Sequence, residues 1–117
     1  MHSWNTTAPI YQQLADRLAV QLLDGSPSEG EALPSVRQLA GQYLINPLTV
    51  SRALQSLVDH GLVESRRGMG MYVTSGARTR LRNTERENFL EKEWPTLRAK
   101  LARLGIDASD LNWETPQ

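Results

Sequence analysis

Two helix starts lie close together between Leu33 and Val50, and that spacing constrains the fold more than any other feature of the chain. Ser35 with Gln38 three residues on has the form of a capping box, and Val36, Leu39, Ala40 and Tyr43 then supply a buried stripe about two turns long. Asn46-Pro47 follows at once, an N-cap residue with proline at the first helical position. Helices joined by so tight a link must cross steeply, as in a helix-turn-helix.

The second of these helices is predicted from Pro47 to His60, with Gly61 as a left-handed C-terminal cap. At about 100° per residue, Val50, Ala53, Leu54, Leu57 and Val58 fall within one arc, and Leu48, Arg52, Gln55 and Asp59 fall opposite, flanked by Thr49, Ser51 and Ser56. A buried face and an offered face are thereby separated. Beyond Gly61, Leu62-Val63-Glu64-Ser65-Arg66 and Met71-Tyr72-Val73-Thr74 are β-formers bracketing a Gly68-Met69-Gly70 tip, so they pair as a hairpin. Helix, turn, helix and basic hairpin in this order define a winged helix-turn-helix, within a chain that is otherwise mainly α.

The flanking segments complete the layout. Ile10, Leu14, Leu18 and Leu22 recur every four residues in a first helix over 9–24, opened by Pro9 and stopped by Asp24-Gly25; residues 25–30 carry turn chemistry. From Arg78 the composition shifts to charged helix formers. Leu90, Trp94, Leu97, Leu101 and Leu104 form a heptad seam, and Pro95 is expected to break it into two helices meeting near Glu93 to Pro95. Leu111 and Trp113 suggest one more turn in the tail. The division expected is a winged helix-turn-helix domain over 1–76 and a short helical dimerisation segment over 77–117. The seam needs either the winged domain or a second copy to cover it, and a second copy, hence a homodimer, is the reading adopted.

Charge argues in the other direction. The chain carries 13 Lys and Arg against 13 Asp and Glu, and affinity for duplex DNA comes largely from neutralised phosphates. Residues 1–76 hold five Arg against six acidic residues, but Arg37, Arg52, Arg66 and Arg67 all fall in the motif, whereas Asp16, Asp24, Glu29 and Glu31 precede it. Placement must supply what the total does not. A protein-interaction module built on the same winged helix, without sequence-specific DNA binding, is the alternative that neutral charge leaves open.

Residue types on the offered face suit base edges and phosphates. Asn46, Leu48, Thr49 and Ser51 stand at the N-terminal end of the second motif helix, with Arg52 and Gln55 further along; Leu48 suits a thymine methyl, and the polar groups suit hydrogen bonds to bases or phosphates. The plainer reading is that Asn46 only caps and Arg52 is solvated. Arg37, in the first turn of the first motif helix, suits a phosphate or guanine, or else an ordinary ion pair. Arg66, Arg67, Gly68 and Gly70 form a tip able to approach the backbone or enter the minor groove. Arg78, Arg80 and Arg82 follow the wing as phosphate contacts or as a solvated linker.

Other chemistries find no candidate. With no cysteine, and His2 and His60 as the two histidines, no nucleophile-base pair, thiol chemistry or cysteine-zinc site can be assembled, so no enzyme activity, metal or cofactor is expected. Gly68-Met69-Gly70 lacks the rest of a dinucleotide fingerprint. No run approaches the roughly 20 apolar residues of a membrane span, and MHSWNTTAPI has no signal-peptide pattern, so a cytoplasmic protein without membrane contact is expected.

Taken together, Pro9-Ile10-Tyr11-Gln12-Gln13-Leu14, Leu33 to Ala40, Asn46 to Leu54, Gly61-Leu62-Val63 and Arg66 to Val73 resemble the N-terminal winged-helix domain of the GntR family of bacterial transcriptional regulators over residues 9–74. The short tail is similar to the YtrA subfamily, whose members dimerise through a brief helical extension and often regulate transporter operons. The resemblance implies that Arg37, the start of the second motif helix and the Arg67-Gly68 tip contact double-stranded operator DNA. Family members often carry basic residues where Pro47 and Ser51 stand, so contacts made there do not transfer. Roughly 40 tail residues cannot enclose a metabolite cavity of about 300 Å³, so any small-molecule effector, whose identity stays unknown, would bind between protomers.

Overall fold

Both helix starts are formed as their caps dictate in the computed structural model, which describes residues 4–114. Three helices come first: α1 (Ile10–Leu23), α2 (Val36–Tyr43) and α3 (Pro47–Asp59). At α2 the capping box is closed, Ser35 Oγ accepting from the Gln38 N–H at 3.1 Å and Gln38 Oε1 from the Ser35 N–H at 2.8 Å. Leu44 ends α2 in the left-handed region at φ 56°, a conformation unusual for a leucine, and this reverses the chain toward Asn46. Pro9 stands just outside α1, at the N-cap.

The core lies between these helices and the root of the hairpin. Leu14, Leu18 and Leu22 of α1 face Val50, Ala53, Leu54 and Leu57 of α3, each at most 3% exposed, with Leu39 and Tyr43 of α2 closing the cluster. Each leucine so buried contributes roughly 1.5–3 kcal/mol of transfer free energy. Val58, assigned to the buried face, is half-covered.

The hairpin pairs β1 (Val63–Arg66) with β2 (Gly70–Val73) in antiparallel register, Val63 opposite Val73 and Arg66 opposite Gly70. Gly70 is thus the first ladder residue of β2 rather than part of the tip. Residues 30–33 line the free edge of β2: Gly30 N–H donates to Val73 O at 2.9 Å, Val73 N–H to Glu31 O at 2.9 Å and Leu33 N–H to Met71 O at 2.8 Å. The pairing amounts to an isolated bridge between Ala32 and Tyr72, in a segment too short to show an alternating pattern in sequence.

Contacts divide the chain into two compact units, the first ending at Arg82 and the second beginning at Asn83. The first unit takes in the start of α4 (Ala77–Asn88), because Ala77 and Leu81 are buried in its core. In the second unit Pro95 does not break the helix. A π-helical turn, Phe89–Glu93, runs directly into α5 (Trp94–Arg103), and the Trp94 N–H bonds Phe89 O, five residues back. The wider turn accommodates a residue that has no N–H of its own. The last turn is a short 3₁₀ element, Ala108–Asp110, capped by Asp107, whose carboxyl is held below its usual pKa by hydrogen bonds from Ser109. Of the two histidines, His60 caps α3 and His2 lies outside the described residues.

Candidate nucleic-acid interface

The N-terminal end of α3 has no backbone donor to spare. Pro47 lacks an N–H, Leu48 N–H is taken by Asn46 Oδ1 at 2.8 Å, and the Thr49 and Val50 N–H groups bond Asn46 O at 2.9 and 3.1 Å. What this end offers is therefore side chains. Leu48 is 75% exposed, Asn46 and Ser51 are exposed and Thr49 is half-covered. The capping role of Asn46 uses its carbonyl oxygen and leaves the amide NH₂ as a donor.

Further along the same face, the side chains are already engaged. The Arg52 guanidinium lies 4.2 Å above the Tyr11 ring of α1, and Gln55 Nε2 donates to Asp59 Oδ1 at 2.9 Å. With Ser56 these groups line a shallow surface hollow. The face that sequence treats as uniform is thus open at its N-terminal half and self-occupied at its C-terminal half.

Arg37 stands exposed in the first turn of α2, with no ion pair or hydrogen bond from its guanidinium among the described residues. Val36 and Arg37 also carry backbone N–H groups that have no carbonyl one turn back within the helix, so the positive end of α2 and an exposed guanidinium coincide.

The wing divides its two arginines. Arg66 pairs with Glu64 at 3.2 Å and lies 4.1 Å above the Tyr72 ring. Arg67 is exposed and has no such partner among the described residues. The turn is closed by the Met69 N–H on Arg66 O at 2.8 Å, with Gly68 at φ +75° as the third of its four residues. That left-handed position favours glycine, as in a type II turn. Met69 projects at 64% exposure.

Behind the wing, Arg78 and Arg80 are neither phosphate contacts held free nor a solvated linker. Arg78 Nε donates to Leu23 O at the end of α1 at 2.8 Å, and Arg80 bonds Gly61 O, Thr74 Oγ1 and Ser75 O. Leu23 and Gly61 are distant in sequence from the arginines they hold, which is why composition alone presents these as one basic stretch with Arg82. Arg82 is exposed.

In the second unit no described residue is buried, and Leu90, Leu97 and Leu104 are 48%, 41% and 61% exposed, with Trp94 and Leu101 half-covered. Phe89, not part of the predicted seam, lines an apolar groove with Thr96 and Leu97, edged by Lys92, Glu93 and Lys100. Leu90 lines a separate polar hollow with Asn83, Arg86 and Glu87. The π turn inserts a residue into the repeat, so a strict heptad count misses Phe89.

Three helices, a two-stranded wing and an open recognition-helix end define a winged helix-turn-helix protein. The chain belongs to the GntR family of bacterial regulatory proteins, whose family model matches residues 10–73. It is 35% identical to the HTH-type transcriptional repressor YtrA of Bacillus subtilis (strain 168), over 88% of this chain and 73% of that protein. It is 36% identical to the uncharacterized HTH-type transcriptional regulator YhcF of the same organism, over 65% of this chain and 63% of the relative. A GntR family transcriptional regulator from Listeria monocytogenes has a similar structure, with a TM-score of 0.74, 27% identity and 91% of each chain covered.

Proposed function

We propose that this chain is a cytoplasmic transcriptional repressor, without enzyme activity, that binds an inverted-repeat DNA operator as a homodimer. The observation that carries the reading is the contrast among the motif arginines. Arg52 and Arg66 are engaged within the protein, whereas Arg37 and Arg67, at the start of α2 and the tip of the wing, have no partner among the described residues. On a neutral chain, exposed and unengaged guanidinium groups on a helix-turn-helix are suited to phosphate or base contacts. The N-terminal end of α3, through Asn46, Leu48, Thr49 and Ser51, then reads base edges, with Arg52 and Gln55 at its margin, while Gly68 shapes the wing tip and Gly70 starts the strand that leaves it.

Dimerisation supplies the affinity that one neutral protomer lacks. Support comes from the second unit, where apolar side chains at Phe89, Leu90, Leu97 and Leu104 stay exposed and none is buried among the described residues. Pairing with a second copy through Leu90, Trp94, Leu97, Leu101 and Leu104 covers them. Repression rather than activation follows the name of the YtrA relative. Among the described residues no helix is long and apolar enough to cross a membrane.

Gel-shift titration at rising salt tests the reading. Preference for the chain's own promoter over random duplex at moderate salt is expected, and equal affinity for both would overturn it in favour of a protein-interaction module.

A further inference from the structure

The guanidinium of Arg80 reaches both roots of the wing. Nη2 donates to Gly61 O at 2.7 Å and to Thr74 Oγ1 at 2.9 Å, and Nη1 donates to Ser75 O at 2.9 Å. The Thr74 hydroxyl closes the arrangement by donating to Gly61 O at 2.6 Å. Gly61 lies just before β1, and Thr74 and Ser75 follow β2, so one side chain on α4 ties the entry of the hairpin to its exit. Gly61 O also lies just past the C-terminal end of α3, where helix carbonyls favour a cation.

Two further observations support a built clamp. A Cβ placed on Gly76 would lie 2.9 Å from Arg80 Nη1, so this glycine leaves the space the guanidinium fills. Arg78 Nε, two residues earlier on the same helix, is fixed to Leu23 O at 2.8 Å, which holds the start of α4 against the end of α1.

A two-stranded ribbon has little stability alone; residues 30–33 bond the free edge of β2 only at Met71 and Val73, and of the residues from Val63 to Val73 only those two terminal valines are buried. The orientation of its tip therefore depends on how its roots are held. We propose that Arg80 is the positioning residue of the wing, holding the ribbon at the angle from which Arg67 reaches the DNA. This rests on the reading of Arg67 as a DNA contact given above. Arg80 acts through the wing and does not itself touch the duplex.

Four proteins decide the matter: the unmodified chain, Arg67→Ala, Arg80→Gln and the double variant, each titrated against the promoter duplex and followed by hydrogen–deuterium exchange without DNA. Arg80→Gln is expected to speed exchange across residues 63–73 while core amides of α1 and α3 stay protected, and to weaken binding about tenfold. In the Arg67→Ala background the Arg80 change is expected to cost less than about twofold, because coupled residues do not add. Losses that multiply in full, or unchanged exchange in the wing, would overturn the proposal. Should Arg80→Gln unfold the domain, Arg80→Lys retains the charge without the two-pronged geometry; behaviour identical to the unmodified chain in both measurements would equally overturn it. Unchanged binding by Arg67→Ala would instead remove the reading of the wing as a DNA contact, and the exchange data would still report on the clamp.

Discussion

Arg66 lies with its guanidinium carbon 4.1 Å from the centre of the Tyr72 ring, on the neighbouring strand of the wing, and Glu64 holds the same guanidinium at 3.2 Å. Its neighbour Arg67 has neither contact. Adjacent arginines of equal charge thus have different capacities to meet a phosphate, since Arg66 must first give up an ion pair and a ring contact, each worth up to about 1 kcal/mol at an exposed site.

Arg67→Ala is therefore expected to weaken operator binding and to reduce the slope of log affinity against log salt by about one. Arg66→Ala is expected to change that slope by clearly less. Fluorescence anisotropy over a salt series measures both, and equal slopes for the two variants would contradict the division.

Asn46 combines a cap with an exposed amide. Asn46→Ala removes the acceptor for the Leu48 N–H and is expected to cost about 1 kcal/mol of stability. Asn46→Asp retains the acceptor and should keep the melting temperature, but it replaces the NH₂ donor with a negative charge facing the duplex. Asparagine acting only as a cap would leave DNA binding by the aspartate variant intact.

Leu48 is 75% exposed, so Leu48→Ala should alter stability by less than about 0.5 kcal/mol. If its side chain packs on a thymine methyl, replacing that thymine by uracil lowers affinity about fourfold, near the 0.8 kcal/mol of one buried carbon group. The same replacement should have no effect on Leu48→Ala. Scanning uracil through each half of the operator locates the position.

Leu54 is 2% exposed at the centre of α3, and Leu54→Ala is expected to destabilise the first unit by about 2–5 kcal/mol through the lost contacts and the cavity left behind. Chemical denaturation followed by circular dichroism reads this directly. A loss below 1 kcal/mol, on the order of an exposed-site change, would mean that α3 does not pack as described.

Charges placed on the apolar seam of the second unit test the proposed dimer. Leu97→Glu with Leu101→Glu should leave the helix content of the chain intact while halving its sedimentation mass, because two carboxylates per protomer would face each other in the interface. An unchanged mass would contradict dimerisation through this seam. Phe89→Glu, in the apolar groove that Leu97 also lines, should weaken association in the same direction.

Much of the first unit was legible from local chemistry. Ser35 with Gln38, Asn46 with Pro47 and Gly61 mark helix ends within a turn of themselves, and the four-residue recurrence of Leu14, Leu18 and Leu22 finds its buried face. The tail was less legible. Proline at 95 ordinarily ends a helix, yet a π turn absorbs it, and that choice depends on the hydrogen bonding of the whole segment rather than on Pro95 alone. The bridging segment at 30–33 was invisible for another reason: its pairing partner, β2, lies about 40 residues away, beyond any periodicity the segment itself could carry.

The candidate interface divides along the same line. By itself the sequence determined which residues stand on the offered face of α3 and at the wing tip, because helical period, cap chemistry and left-handed glycine positions act over a few neighbouring residues. Only the tertiary structure decided which of those side chains remain available. Arg52 is taken up by Tyr11 of α1, Arg66 by Tyr72 on the paired strand, and Arg80 by carbonyls at both roots of the wing. A guanidinium has five donors and a broad cationic face, so its fate is set by whichever acceptors and rings the fold brings within reach.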